Sequence, residues 1–158
     1  MNWRDRLGPK LVSLEFAVGR VESGQTVAAA PFTCSPMTLC RGLAERGHRG
    51  ELENVRVDHL ASAFPWTEPG LEGAFRLRDN YATPANRAAC HAGKTDYLPL
   101  GLYRAYELPD GVERNPDVFL VPVSPPDERG FCSFGPGVWM SPTTARAARL
   151  VIAEVQED

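Results

Sequence analysis

The chain has 158 residues, 43% of them hydrophobic and 23% charged, and its formal net charge is -3 at pH 7. This length suffices for one compact core without a disulfide or metal, so a single domain over residues 1–158 is predicted. The longest apolar runs, such as residues 27–32, are too short to span a membrane. The sequence also lacks the basic stripe that a nucleic-acid partner would require.

The expected compartment is the cytoplasm. The first residues, MNWRDRLGPKLVSLEF, contain charges but no apolar stretch followed by a small-residue cleavage site, so no secretory signal is predicted. The four cysteines form no C-x-x-C pair, and the three histidines are not spaced as ligands on a helix. Reduced thiols, no disulfide framework and no metal site are therefore predicted.

A helix and a strand are predicted near the amino terminus. Ser13 precedes LEFAVGRVESG, in which apolar residues recur at helical spacing and Gly24 supplies a stop. The run TVAAA, residues 26–30, then predicts a short buried strand.

The second helix is predicted to open at Ser35 and Pro36, because serine is favoured at the N-cap and proline at the first helical position. It is expected to run through Arg46. Residues 54–60 (NVRVDHL) predict a second strand, with His59 on the same face as the strand's two valines.

The rest of the chain alternates in the same way. The patterns predict a strand within residues 73–82, a helix over 84–92, a strand over 97–100, a helical turn over 102–107, a buried strand over 117–123, a helix from Ser141 to Arg149 and a strand over 150–155. Because parallel strands need crossovers, this alternation predicts an α/β fold: an open, mostly parallel sheet with helices on both faces.

One loop contains many turn-forming residues. Residues 123–138 (VSPPDERGFCSFGPGV) follow the clearest buried strand, and open α/β sheets bind ligands at the carboxyl ends of their strands. The prolines stiffen such a loop and the glycines permit close backbone approach. A ligand-binding loop and a rigid connector without ligand contact both remain open.

Several segments resemble the first half of the acetyl-CoA hydrolase/transferase family, the class I CoA-transferases that are 4-hydroxybutyrate CoA-transferase-like. They are GRVESGQTV, CSPMTLCRGLAER, LENVRVDHL, YATPANRAACHAGKTDYLPLGLYRAYEL, and DVFLVPVSPPDERGFCSFG with ARLVIAEV. The resemblance implies a CoA-transferase-like α/β fold with a coenzyme A thioester as substrate, a carboxylic acid as acceptor and no metal.

In the family, a glutamate in the second half of the chain is the nucleophile, and this sequence resembles the first half alone. The resemblance therefore implies an α-like subunit of a split CoA-transferase or acyl-CoA hydrolase, forming half of the acyl-CoA/carboxylate cleft. A second CoA-transferase-like subunit, in a heteromer, would supply the glutamate. The acyl group, the acceptor and the choice between transfer and hydrolysis are left open.

The resemblance also suggests where substrate contacts lie. Many relatives have a glycine-rich turn after the first strand, where this chain has AAAPFTCSP, so the substrate-facing wall is expected to be altered. The Pro-Ala-Asn-Arg segment resembles the family's Pro-Asn-x-Arg segment, and two interpretations of its arginine stay open: it orients a carboxylate or phosphate, or it is a solvated residue at the helix end. The candidate substrate-binding residues are Phe32, Thr33, Ser35, Asn86, Arg87, Ser133, Gly135 and Gly137.

Two alternatives remain. Cys34 is expected just before a helix, where free N–H groups favour a thiolate, and His59 at the end of the second strand would be its base in a Cys-His acyl-transfer site. The alternative is that neither residue is catalytic: Cys34 packs as a small apolar side chain, and His59 is a buried histidine that hydrogen-bonds to the backbone. The other alternative is a non-catalytic or repurposed domain that binds an acyl thioester and regulates a partner.

Overall fold

The chain folds around one parallel β-sheet. The computed structural model describes residues 2–99 and 115–157. In these residues the strands are β1 (Thr26–Ala29), β2 (Val55–Asp58), β3 (Phe75–Asp79), β4 (Asp96–Tyr97), β5 (Val118–Val123) and β6 (Leu150–Val155). Their order in the sheet is β4-β3-β2-β1-β5-β6, and all neighbours are parallel. The predicted open parallel α/β fold is confirmed.

The described helices are short, with one exception. They are α1 (Trp3–Leu7), α2 (Leu14–Val18), α3 (Met37–His48), α4 (Arg87–His91) and α5 (Ser141–Ala147). The sequence pattern did not predict α1, which buries no residue. The helical turn predicted over residues 102–107 and the end of the strand predicted over 97–100 lie outside the described residues. Among the helices that are described, none has the length and apolar character needed to cross a membrane.

Helix α2 begins as predicted and ends early. Ser13 is the N-cap, and its side chain accepts a hydrogen bond from the backbone N–H of Phe16 at 3.2 Å. The helix ends at Val18 rather than near Gly24, and the guanidinium of Arg46 binds the carbonyls of Val18 and Val21, at 2.6 and 2.8 Å. These contacts give both carbonyls a side-chain hydrogen-bond donor at the end of the helix.

The predicted caps of the two later helices are wrong. Pro36 occupies the N-cap position of α3 and makes no side-chain cap, while Ser35 Oγ donates to the carbonyl of Phe32 at 2.7 Å. In α5, Ser141 is the first helical residue, and its Oγ donates to the carbonyl of Gly137 at 2.6 Å. Both hydroxyls thus donate to a carbonyl of the turn that precedes the helix, and the first free N–H groups of α3, those of Thr38 and Leu39, are bound by Glu154 instead.

The sheet packs apolar residues on both of its faces. On β5, Val118 and Leu120 join the large core cluster beneath α2 and α3, whereas Phe119 and Val121 join a smaller cluster that includes Ala145 of α5. Successive residues of a strand point to opposite faces, so a strand covered on both sides is apolar throughout. Every residue of β5 is accordingly buried.

The half of the sheet formed by β2, β3 and β4 has one charged face. Asp58 accepts two hydrogen bonds from Arg78, one of them from Nε at 2.8 Å, and Arg76 binds Asp96 with both Nε and Nη2, at 2.6 and 2.7 Å. This face departs from the expectation that parallel strands bury apolar residues on both sides. Paired charges replace apolar packing here, because bidentate bonds satisfy both partners.

Candidate functional site

A cavity of about 240 Å³ opens at the carboxyl ends of β1, β5 and β6. Pro122, Val123 and Phe134 give it an apolar wall, while Thr33 and Ser133 contribute hydroxyl-bearing side chains. Its position at the carboxyl edge of a parallel sheet is where open α/β folds bind ligands. An apolar hollow with a few polar groups is typical of a small-molecule site.

The loop of residues 123–138 forms one side of this cavity and is closed on itself at its base. The backbone N–H of Ser124 donates to the carbonyl of Ser133, and the N–H of Ser133 donates to Ser124 Oγ, both at 2.9 Å. Ser133 Oγ in turn accepts from the N–H of Gly135 at 3.0 Å. The two serines therefore set the shape of the cavity wall.

The tip of the loop is a tight turn organised by Asp127. Its Oδ1 accepts from the backbone N–H groups of Arg129 and Phe131, at 2.9 and 2.8 Å, and its own N–H donates to the carbonyl of Phe131 at 2.9 Å. Gly130 has φ +84, a conformation that side-chain-bearing residues rarely adopt. Asp127 and Gly130 therefore stabilise the conformation of the loop itself.

Gly137 permits close packing between the loop and Cys34. A Cβ placed on Gly137 would lie 2.9 Å from both Cβ and Sγ of Cys34, closer than carbon atoms approach without displacement. Cys34 also lines the cavity and is only 9% exposed. The glycine is therefore required where two cavity-forming segments meet.

The opposite side of the cavity is the Phe32 turn, residues 31–35. Phe32 has φ +55, which costs energy for a residue with a side chain. Its ring is 41% exposed and packs against Trp139, with 5.9 Å between ring centroids. Thr33, the next residue, lines the cavity.

His59 lies beneath this turn and is fully buried. Its Nε2 is 2.9 Å from Ser35 Oγ, and its Nδ1 accepts from Trp66 Nε1 at 3.0 Å, with Ser62 Oγ also 2.9 Å away. Burial lowers the pKa of His59 to about 4, although the nearby Ala30 carbonyl favours the charged form. The imidazole is therefore neutral at neutral pH.

The structure does not pair Cys34 with His59. Both ring nitrogens of His59 face Ser35, Ser62 and Trp66, and Cys34 lies in the 3-10 turn Phe32–Cys34, three residues before α3 begins. Cys34 is nevertheless in the cavity wall. The two residues are close in the fold but belong to different contacts.

The other predicted contacts fall into two groups. Phe32, Thr33, Ser133, Gly135 and Gly137 lie around the cavity or on its rim, and Ser35 is buried below it. Asn86 and Arg87 are elsewhere, at the start of α4, which follows β3.

Asn86 is 2% exposed and serves the core. Its Nδ2 donates to the carbonyl of Phe64 at 3.0 Å, and its Oδ1 accepts from Thr67 Oγ1 at 3.3 Å. Arg87 is exposed and its Nε donates to the carbonyl of Ala82 at 3.2 Å.

Sequence reasoning missed several residues of the site. Gln156 lines the cavity because it follows β6, which pairs with β5. The sequence could have indicated it, since Gln156 comes directly after a predicted strand. Trp139 carried no such signal, since its partner Phe32 is distant in sequence, whereas Trp66 lies seven residues after its partner His59.

These observations define an α/β protein with a parallel sheet and a cavity at its carboxyl edge. The chain belongs to the acetyl-CoA hydrolase/transferase family, because residues 1–158 match the N-terminal domain of that family. This finding confirms the resemblance drawn from the sequence segments.

Characterised relatives are CoA-transferases. The chain is 29% identical to 4-hydroxybutyrate coenzyme A transferase of Clostridium kluyveri, over 100% of the chain and 37% of that enzyme. It is 28% identical to butyryl-CoA:acetate CoA-transferase of Anaerostipes caccae, over 100% of the chain and 36% of that enzyme. The chain thus spans little more than a third of the length of these relatives.

Solved structures share the fold. RipA from Yersinia pestis superposes with a TM-score of 0.84 at 28% identity, over 98% of this chain and 38% of that chain. The decarboxylase AibA/AibB matches with a TM-score of 0.62 at 23% identity, over 92% of this chain and 74% of that chain. The latter likeness concerns the fold alone.

Proposed function

We propose that this chain forms one half of an acyl-CoA/carboxylate cleft and works with a second CoA-transferase-like subunit in a heteromer. That partner supplies the glutamate nucleophile of the family. The chemistry is transfer of CoA between an acyl thioester and a carboxylic acid, or hydrolysis of the thioester. Covalent relay through a carboxylate divides one difficult step into easier ones.

The observation that carries this proposal is the cavity between the Phe32 turn and the loop of residues 123–138. Its apolar wall of Pro122, Val123 and Phe134 suits a short acyl chain or the pantetheine arm of CoA. Family membership and the CoA-transferase relatives support the same ligand class.

Within this site, Thr33, Ser133 and Gly135 are the proposed substrate contacts, because all three line the cavity. Phe32, which is exposed and precedes the cavity residue Thr33, is a further proposed contact of the acyl group. Gly137 acts indirectly by allowing the loop to approach Cys34. Arg87 remains a proposed contact for a carboxylate or phosphate because its side chain is exposed.

The test of the proposal is isolation of the tagged chain from its native cells, followed by identification of bound chains by mass spectrometry. We expect a second CoA-transferase-type chain to co-purify. The complex should convert butyryl-CoA and acetate to acetyl-CoA and butyrate, whereas the chain alone should not. Enzymatic turnover by the chain alone would contradict the proposal.

A second candidate is acyl transfer at Cys34, which the position of this thiol in the cavity wall favours. Incubation with butyryl-CoA followed by peptide mass spectrometry would detect an acylated Cys34. Cys132, which is exposed, is the matched control for non-specific acylation. A binding or regulatory domain would instead bind butyryl-CoA with no turnover in any complex.

A further inference from the structure

We propose that His59 is a positioning residue that holds the Phe32 turn through Ser35 and thereby fixes one wall of the cavity. The ligand of that cavity rests on the function proposed above. The positioning itself rests on the contacts of four described residues: Trp66, His59, Ser35 and Phe32.

The chemistry of these contacts assigns the protons between Trp66 and Phe32, while Ser62 Oγ, 2.9 Å from His59 Nδ1, donates its own proton to the carbonyl of Phe64 at 2.9 Å. An indole N–H can only donate, so Trp66 Nε1 makes His59 Nδ1 an acceptor. A neutral imidazole then carries its proton on Nε2, which donates to Ser35 Oγ at 2.9 Å. Ser35 Oγ has one proton, and it donates this to the carbonyl of Phe32 at 2.7 Å. The hydrogen-bond chain therefore runs from Trp66 to Phe32 in a single direction.

The hydrogen-bond chain ends at the strained backbone of Phe32. Phe32 has φ +55, and its carbonyl accepts from both the Oγ and the N–H of Ser35, at 2.7 and 3.2 Å. Strained backbone persists where surrounding contacts over-determine it, and it concentrates at functional sites.

The start of the hydrogen-bond chain is rigid. Trp66 is 1% exposed, and its ring packs against Phe64 and Phe75, with centroid distances of 4.7 and 5.1 Å. His59 thus transmits the position of the main core to a turn on the cavity rim. Its pKa of about 4, lowered by burial, keeps it in the neutral form that this arrangement needs.

Two substitutions of His59 test the roles of its two ring nitrogens separately. In His59→Gln the amide nitrogen takes the place of Nε2, which retains a donor for Ser35 and removes the acceptor for Trp66. In His59→Asn the amide oxygen takes the place of Nδ1, which retains the acceptor and removes the donor. Each variant loses one of the two buried hydrogen bonds and keeps the other. Ser35→Ala breaks the hydrogen-bond chain without changing the histidine.

The first measurement is nuclear magnetic resonance of the whole chain. Long-range proton-nitrogen spectra should show a proton on His59 Nε2 and none on Nδ1. The amide and Hα signals of Phe32 should keep left-handed backbone values in His59→Gln and lose them in His59→Asn and Ser35→Ala. A proton on Nδ1, or equal Phe32 signals in the two histidine variants, would overturn the proposal.

The second measurement is butyryl-CoA affinity by calorimetry, for the chain with any partner that co-purifies. His59→Asn and Ser35→Ala should weaken binding about tenfold, while His59→Gln stays near the wild type. Equal weakening in both histidine variants would indicate a structural role only and overturn the positioning. If the wild type binds no butyryl-CoA, the proposed function fails, and the resonance measurement still decides the positioning of Phe32.

Discussion

The carboxylate of Glu154 caps helix α3 through Leu39, a residue 115 positions earlier in the chain. Glu154 Oε2 accepts a hydrogen bond from the backbone N–H of Leu39 at 3.1 Å and another from that of Thr38 at the same distance. A negative charge is stabilising at a helix N-terminus, where free N–H groups point outward. Strand β6 thus supplies the cap that Ser35 does not.

Replacing Glu154 by alanine should lower the free energy of unfolding by about 1–2 kcal/mol, the usual cost of a lost N-cap. Glu154→Gln should cost less, because its amide oxygen still accepts hydrogen bonds but lacks the charge. Urea unfolding followed by circular dichroism measures both. Glu53→Ala is the control, since Glu53 is exposed, and equal effects of the two alanine substitutions would refute the cap.

Gly137→Ala should destabilise the chain by about 1–3 kcal/mol, the range for overpacking. The new Cβ would lie 2.9 Å from Cys34 Sγ, so adding Cys34→Ala should recover part of the loss. Gly73→Ala is the matched control because a Cβ there would meet no atom within 4 Å. Thermal unfolding of Gly137→Ala, Cys34→Ala, the double variant, Gly73→Ala and the wild type gives the coupling free energy between Gly137 and Cys34. Additive effects of the two substitutions on stability would contradict this packing.

Stability should fall as the pH falls from about 7 to 4 because of His59. Burial lowers its pKa in the folded state to about 4 from the ordinary value of 6.5. The unfolded chain therefore binds the proton more readily, and this stabilisation is complete above pH 6.5 and lost as the pH falls through the folded pKa. The shift corresponds to about 3 kcal/mol.

Urea titrations of the wild type and His59→Gln at several pH values isolate this contribution. Subtracting the two curves removes the titration of the carboxyl groups, which both proteins share. The wild type should lose about 3 kcal/mol relative to the variant between pH 7 and pH 4. Parallel curves would mean that His59 titrates in the same way in the folded and unfolded chains.

The contribution of Asp79 to stability should depend on pH in the opposite direction to that of His59. It is 3% exposed, Oδ1 accepts from the N–H groups of Ala61 and Tyr81, at 3.0 and 2.9 Å, and Oδ2 has no hydrogen-bond partner among the described residues. Burial raises the pKa of this carboxyl, although those N–H groups oppose the shift. Its stabilisation is therefore present below the unfolded pKa and lost as the pH rises through the folded one.

Asp79→Asn should consequently gain stability relative to the wild type as the pH rises, because the neutral amide keeps Oδ1 as acceptor without burying a charge. Asp79→Ala should instead lose about 1–3 kcal/mol by leaving the Ala61 and Tyr81 N–H groups without an acceptor. Urea unfolding at pH 4 and pH 7 distinguishes them. A smaller Asp79→Asn advantage at pH 7 than at pH 4 would contradict the raised pKa.

Local patterns were most successful where they encode burial or backbone conformation. The apolar run of residues 117–123 predicted β5 because a strand covered on both faces needs apolar residues throughout. Ser13 was correctly predicted as an N-cap because its partner, the N–H of Phe16, lies three residues away. Ser35 failed as a cap because Glu154, distant in sequence, binds the N–H groups of Thr38 and Leu39, and Ser141 failed because it is the first helical residue of α5.

The sequence by itself determined the parallel α/β class, the family and the loop that forms one wall of the cavity, since each depends on residues adjacent in the chain. Only the tertiary structure decided that His59 meets Ser35, that Cys34 meets Gly137, and that Glu154 caps α3. The physical reason is the strand order, which sets β1 between β2 and β5. Hydrogen-bond partners are chosen by this neighbourhood in space, and no local pattern of residues specifies it.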